Sequence, residues 1–141
     1  MPLIASLPYL TITYQGRRRV LLGQWQRSVM PFELHHGYAQ LLEAAVAHQC
    51  RFWLIDTTRW QAPADATTVL WMLESFLPRL HPQLGGTVYL AFLMAPHQLA
   101  GVLTNHAIPP LAALNGTPYQ LQRFTEEAAA LHWLRTCRAA R

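Results

Sequence analysis

The sequence predicts a single α/β domain: a mostly parallel sheet of about five strands, an N-terminal hairpin and helices packed on the sheet. Two segments, 51–55 and 87–95, are apolar without alternation, as parallel strands covered on both faces are. Two others, 9–14 and 119–123, alternate apolar and polar residues, which marks half-solvated strands at the sheet edges. Stretches of helical period lie between them and give the order β-β-α-β-α-β-α-β-α. A chain of 141 residues makes one domain, residues 1–141, and buries roughly 70% of its unfolded surface, enough to fold without staples.

The first strand places Leu10, Ile12 and Tyr14 on one face and Thr11 and Thr13 on the other. Gln15-Gly16-Arg17-Arg18 supplies the turn, with Gly16 suited to a positive φ. A second strand follows over 19–26. Arg17, Arg18 and Arg19 therefore sit at a hairpin tip, where a solvated role outweighs an anion site. From Pro31 the period becomes helical, and Phe32, Leu34, Tyr38, Leu41, Leu42, Ala45 and Val46 form one stripe as far as about His48. His35 and His36 fall in its first turns. A zinc pair on a helix needs histidines at i and i+4, but Ala39 and Gln40 stand there, so no metal site is expected.

The strand 51–55 runs into Asp56, Thr57, Thr58, Arg59 and Trp60, at the end where open α/β sheets hold their ligands. A loop with Pro63 leads to a second helix, capped by Asp65 or Thr67. Its stripe is Val69, Leu70, Leu73, Phe76 and Leu77, with Trp71 and Glu74 off it. Pro78 ends or kinks this helix and Pro82 allows nothing longer. Gly85-Gly86 opens the next strand and Pro96 closes it. Residues 97–106 read as a short helix, broken at Pro109-Pro110 and resumed weakly over 111–114, before the stop signal Asn115-Gly116. Thr125-Glu126-Glu127 begins the last helix, its acidic residues where the helix dipole favours them. Ala128, Leu131, Leu134 and Trp133 supply its buried side.

This order resembles the STAS fold of anti-sigma-factor antagonists, and more closely the small stand-alone STAS-like bacterial proteins of unassigned function. Pro8-Tyr9-Leu10-Thr11-Ile12, Trp53-Leu54-Ile55-Asp56, Phe124-Thr125-Glu126-Glu127-Ala128 and Leu131-His132-Trp133-Leu134 carry the likeness, which spans most of the chain. The resemblance implies a protein-interaction or regulatory module that works as a homodimer. In the antagonist branch a kinase phosphorylates a serine in an Asp-Ser pair followed closely by glycine, at the start of a helix. The matching region here is Asp65-Ala66-Thr67-Thr68. Ala66 replaces the serine and no glycine follows, so Thr67 is a poor substitute and the switch does not carry over.

Catalysis finds little support in the sequence. Of only seven acidic residues, most are accounted for by helix starts or solvated helix faces, and Asp56 is left to accept from its own turn through Thr57 and Thr58. Gly85-Gly86 precedes a strand rather than a helix, so it is no phosphate cradle and no cofactor is expected. Cys50 follows His48 by two residues. In a helix they would point apart and in an extended segment together, so the helix end decides whether they pair. Cys50 and Cys137 are expected as reduced thiols. The formal charge is +4 and every basic side chain other than histidine is arginine, but only Arg17–Arg19 is contiguous, which makes nucleic-acid binding a weak alternative. No apolar run approaches the ~18 residues of a membrane span, and 1–6 lacks a basic signal-peptide region, so a cytoplasmic protein is expected. The remaining alternative to an interaction module is a binding protein for a small apolar or anionic ligand. Trp25, Trp60 and Trp71 would converge with Tyr119 or Phe124 near Asp56 and Arg59. The competing role for those tryptophans is rim packing or a homodimer surface.

Overall fold

The computed structural model describes residues 3–61, 66–111, 116 and 118–140. Its strands are β1 (Leu3–Leu7), β2 (Leu10–Gln15), β3 (Val20–Trp25), β4 (Phe52–Asp56), β5 (Val88–Leu93) and β6 (Tyr119–Phe124). They lie side by side in chain order in one sheet. The β1–β2 and β2–β3 pairings are antiparallel and the three that follow are parallel. The parallel half needs crossovers, and helices α1 (Pro31–His48) and α4 (Pro96–Thr104) supply two of them. The third holds α2 (Ala66–Trp71), a π-helical turn (Met72–Phe76), a 3-10 turn (Leu77–Arg79) and α3 (Leu80–Leu84). Helix α5 (Glu127–Ala139) ends the described chain.

Adjacent residues of a strand point to opposite faces, and β4 shows what each face meets. Trp53 packs on Phe76 of the π turn, which in turn packs on Tyr38 of α1. Phe52 stacks on Tyr89, whose ring meets Trp133 of α5. The crossover segments therefore share one face of the sheet, and α5 covers the other. Trp25, Trp53, Phe76, Ile55 and Leu90 are fully buried between the layers.

The structure corrects several expectations. β1 is an additional strand. It pairs through the two-residue connection Pro8-Tyr9, so β2 lies second in the sheet and is not an edge. Gly16 does not take the positive φ of the tip; Arg19 does, at 54°. On α1, Phe32 is 71% and Val46 40% exposed. At 100° per residue they lie about 150° and 110° from the line through Leu34, Tyr38, Leu41 and Ala45, which is the side that is buried.

The second crossover departs most from its expected pattern. In the π turn the Leu77 N–H reaches back five residues to the Met72 carbonyl. That extra residue shifts the phase of the stripe. Met72, Phe76, Leu77 and Leu80 are buried, while Leu70 is 44% exposed. Pro78 sits in the first turn of the 3-10 segment and Pro82 in the first turn of α3, where a missing N–H breaks nothing, so the helical path continues to Leu84. Gly85, at φ 72°, then ends it by donating to the His81 carbonyl. Pro96 begins α4 as well as closing β5. The expected cap Asp65 and the weak helix over 111–114 fall wholly or mostly outside the described residues.

Two glycines on helices give opposite expectations. A Cβ on Gly37 would lie 2.5 Å from the rim of the fully buried Trp25 and 3.1 Å from Leu10, whereas one on Gly101 would meet nothing within 4 Å. Gly101→Ala should stabilise by about 0.5–1 kcal/mol through backbone propensity. Gly37→Ala should lose roughly 1–2 kcal/mol net, because overpacking outweighs the same gain. Urea denaturation of the two variants checks the pair.

Candidate functional site

Four parallel strands, β3 to β6, end at the same rim of the sheet, and the loops there are tied together by side chains. Asp56 accepts from the Thr58 N–H at 2.9 Å and its hydroxyl at 2.6 Å, an Asx turn that leaves β4. Buried Thr57 donates through its N–H to the Leu93 carbonyl at the end of β5. Gln98, at the third position of α4, accepts from Ala95 N–H at 2.6 Å. Its Nε2 donates to the carbonyls of Thr57 and Trp60, at 2.8 and 2.9 Å. Ser28 Oγ accepts from Gln61 N–H at 2.7 Å, and Arg59 donates to Gln26 Oε1, which fastens the same loop to the end of β3. The start of α1 is fixed by Glu33, which accepts from Met30 N–H and takes a two-pronged ion pair from Arg27 at 2.8 and 3.0 Å.

These ties frame a cavity of about 450 Å³. Its floor is the sheet face bearing Phe92, Leu121 and Arg123. Its walls come from Leu34 and Tyr38 of α1, from Val69 to Leu77 of the second crossover, and from Val102 of α4. Trp60 and Trp71 line it as expected. His35, an exposed residue, stacks on Trp71 with ring centroids 4.1 Å apart. Burial raises the Tyr38 phenol well above its ordinary value, so it is a neutral group.

The other expected contributors lie elsewhere. Trp25 is buried in the core behind the cavity, tilted against Trp60 at 5.5 Å and Tyr38 at 5.3 Å. Asp56 and Arg59 are occupied by the turn and by Gln26, and neither lines the cavity. Tyr119 does not line it either. Phe124 projects to the opposite face against Trp133. Thr67 does line the wall. No protein-family model, curated protein or solved structure matches this chain.

Arg123 is the lining residue that the sequence reading left among the scattered cations. Its signal was present: β6 alternates, and Leu121 and Arg123 share the face that meets the cavity. Burial pushes its guanidinium below the ordinary value.

The opposite end of the sheet is polar. Helix α1 stops at Gln49, in left-handed conformation, and His48 and Cys50 take different partners. His48 stacks on Tyr14, while Cys50 is buried and donates to the carbonyls of Phe52 and Arg19. Burial raises the Cys50 thiol, which keeps it protonated and opposes a dyad. Both cysteines are free. Arg17, Arg18 and Arg19 are exposed at the tip, with Arg18 donating to Gln15 and its carbonyl accepting from Arg138. Among the described residues no group of three metal-ligating side chains converges, and no helix is long and apolar enough to cross a membrane.

The Glu33 clamp gives a direct check on this frame. Hydrogen bonding from Arg27, then from Met30 N–H, holds the carboxyl at about 2. Because the folded value is depressed, its contribution to stability is present above the ordinary value of 4.5 and is lost as pH falls toward 2. NMR titration of the Glu33 carboxyl carbon should give that low value, and Arg27→Ala should return it toward the ordinary carboxylate range.

Proposed function

We propose that this chain is a non-enzymatic binding protein for a small, largely apolar ligand, held in the cavity at the ends of β4, β5 and β6. The observation that carries the reading is the cavity itself. At about 450 Å³, walled by Trp60, Trp71, Phe92 and aliphatic side chains, it falls in the size and composition range of small-molecule sites. Its place at the C-terminal ends of parallel strands is where such folds hold ligands. Among the described residues the titratable lining side chains are His35, Tyr38 and Arg123, a set that supports binding over acid–base chemistry.

The neutral fluorophore N-phenyl-1-naphthylamine tests the reading. It should bind saturably at one site and brighten. Val102→Trp, which fills the wall from α4, should weaken it by tenfold or more, whereas Val46→Trp on the exposed side of α1 should leave it unchanged. Absence of saturable binding, or equal binding by a folded Val102→Trp variant, would end the proposal.

One observation favours a second reading, a STAS-like interaction module acting as a homodimer. β1 is an edge strand with one side of its hydrogen-bonding ladder unpaired within the sheet, and it exposes Leu3 at 57% and Ile4 at 37%. Such an edge is a template for pairing with a second copy. Sedimentation at micromolar concentration should then show a dimer that Ile4→Lys converts to monomer. A wild-type protein that stays monomeric throughout removes this reading.

A further inference from the structure

We infer that the ligand of the apolar cavity is an amphiphilic monocarboxylate, its carboxylate gripped by the guanidinium of Arg123 and its hydrocarbon laid against Trp60, Trp71 and Phe92. This rests on the binding role proposed above and names the chemistry of its ligand.

The arginines are engaged unequally. Arg27 is paired with Glu33, Arg18 with Gln15, Arg59 with Gln26 and Arg135 with His132. The partly buried Arg51 and Arg138 donate to the carbonyls of Thr87 and Arg18. Arg17, Arg19 and Arg79 are exposed and hydrated. Arg123 alone is partly buried with no acceptor for its guanidinium among the described residues. It stands on the sheet face beside Leu121 and across from Phe92, in a wall that is mostly hydrocarbon. A charge in such a place is unfavourable unless an anion meets it. Burial acts on this guanidinium in that direction, lowering its proton affinity.

The shape of the group narrows the anion. A guanidinium presents parallel N–H donors that match the two oxygens of a carboxylate. Among the described residues the wall has one such cation, so one negative charge balances it, and a doubly charged phosphate would leave an excess in an apolar site. Trp60 Nε1 is buried without an acceptor, a second unspent donor on a lining residue. The remainder of the wall is suited to an alkyl chain or an aromatic ring.

Sodium decanoate and 1-decanol, matched in chain and differing in charge, test this by isothermal titration calorimetry below their aggregation limits. Wild-type protein should bind decanoate on the order of tenfold or more tighter than decanol. Arg123→Gln should lose that preference while binding decanol as before, and Arg123→Lys should keep part of it. Equal affinity of wild type for the two probes overturns the carboxylate assignment and leaves the apolar binding role standing. So does a preference that survives in Arg123→Gln. If neither probe binds, the assignment falls together with the role it rests on. Equal wild-type affinity overturns the assignment even if Arg123→Gln folds poorly, and Arg123→Lys then tests the role of the guanidinium.

Discussion

The contact between Trp53 and Phe76 is the one that the layers depend on. Trp53 is held in place from behind, because its indole N–H donates to the Cys50 carbonyl at 3.0 Å just before β4 begins. Its ring then meets Phe76 at 6.1 Å, and Phe76 carries the contact on to Tyr38 and Trp71. One chain of aromatic rings thus joins the central strand to α1 and to the second crossover. Truncating such a buried ring typically costs about 3–5 kcal/mol, a large part of a domain's net stability. The π turn belongs to the same arrangement. Met72 and Phe76 within it and Leu77 just after it are all buried.

The cavity follows from how the crossovers are placed. All of them lie on the Trp53 face, and α5 covers the other. At the strand ends the loops are stapled by Thr57, Ser28 and Gln98, whose side chains bond the backbone of Leu93, Gln61 and Thr57. That leaves apolar side chains to line the space above Phe92 and Leu121. A rigid polar rim around an apolar hollow is a pre-organised site, and pre-organisation reduces the entropic cost of binding.

Much of this was legible in the sequence. Residues 51–55 and 87–95 read as interior strands because they are apolar without alternation, and the strands found there, Phe52–Asp56 and Val88–Leu93, are parallel and flanked. Of the three tryptophans weighed there between a pocket and a packing surface, Trp60 and Trp71 line the cavity and Trp25 does not. The failures have physical causes. A periodic reading assumes 100° per residue, so a π turn displaces every position after Trp71. A strand of five residues joined by Pro8-Tyr9 carries too little pattern to separate it from an N-terminal extension. Asp56 accepts from Thr58 as its turn chemistry implied, whereas Arg59 looked available because sequence cannot show that Gln26 already occupies it. Arg123 went unnoticed because an isolated arginine carries no motif, although the alternation of its strand puts it on the face of Leu121.

The charge inventory explains why Arg123 matters more than the net charge of the chain. Eleven arginines face only seven acidic residues. Glu33 is engaged by Arg27, and Asp56 is turned toward Thr58. Glu43, Glu74, Glu126 and Glu127 are exposed on helices or at their starts, and Asp65 lies outside the described residues. A surplus of cations on the surface is dissolved by water and salt and has little structural consequence. The same surplus within a hydrocarbon wall is not screened. An arginine there is either tied to a backbone carbonyl, as Arg51 is to Thr87, or left for an anion from outside the chain. The fold provides Arg51 with its carbonyl and provides Arg123 with a cavity.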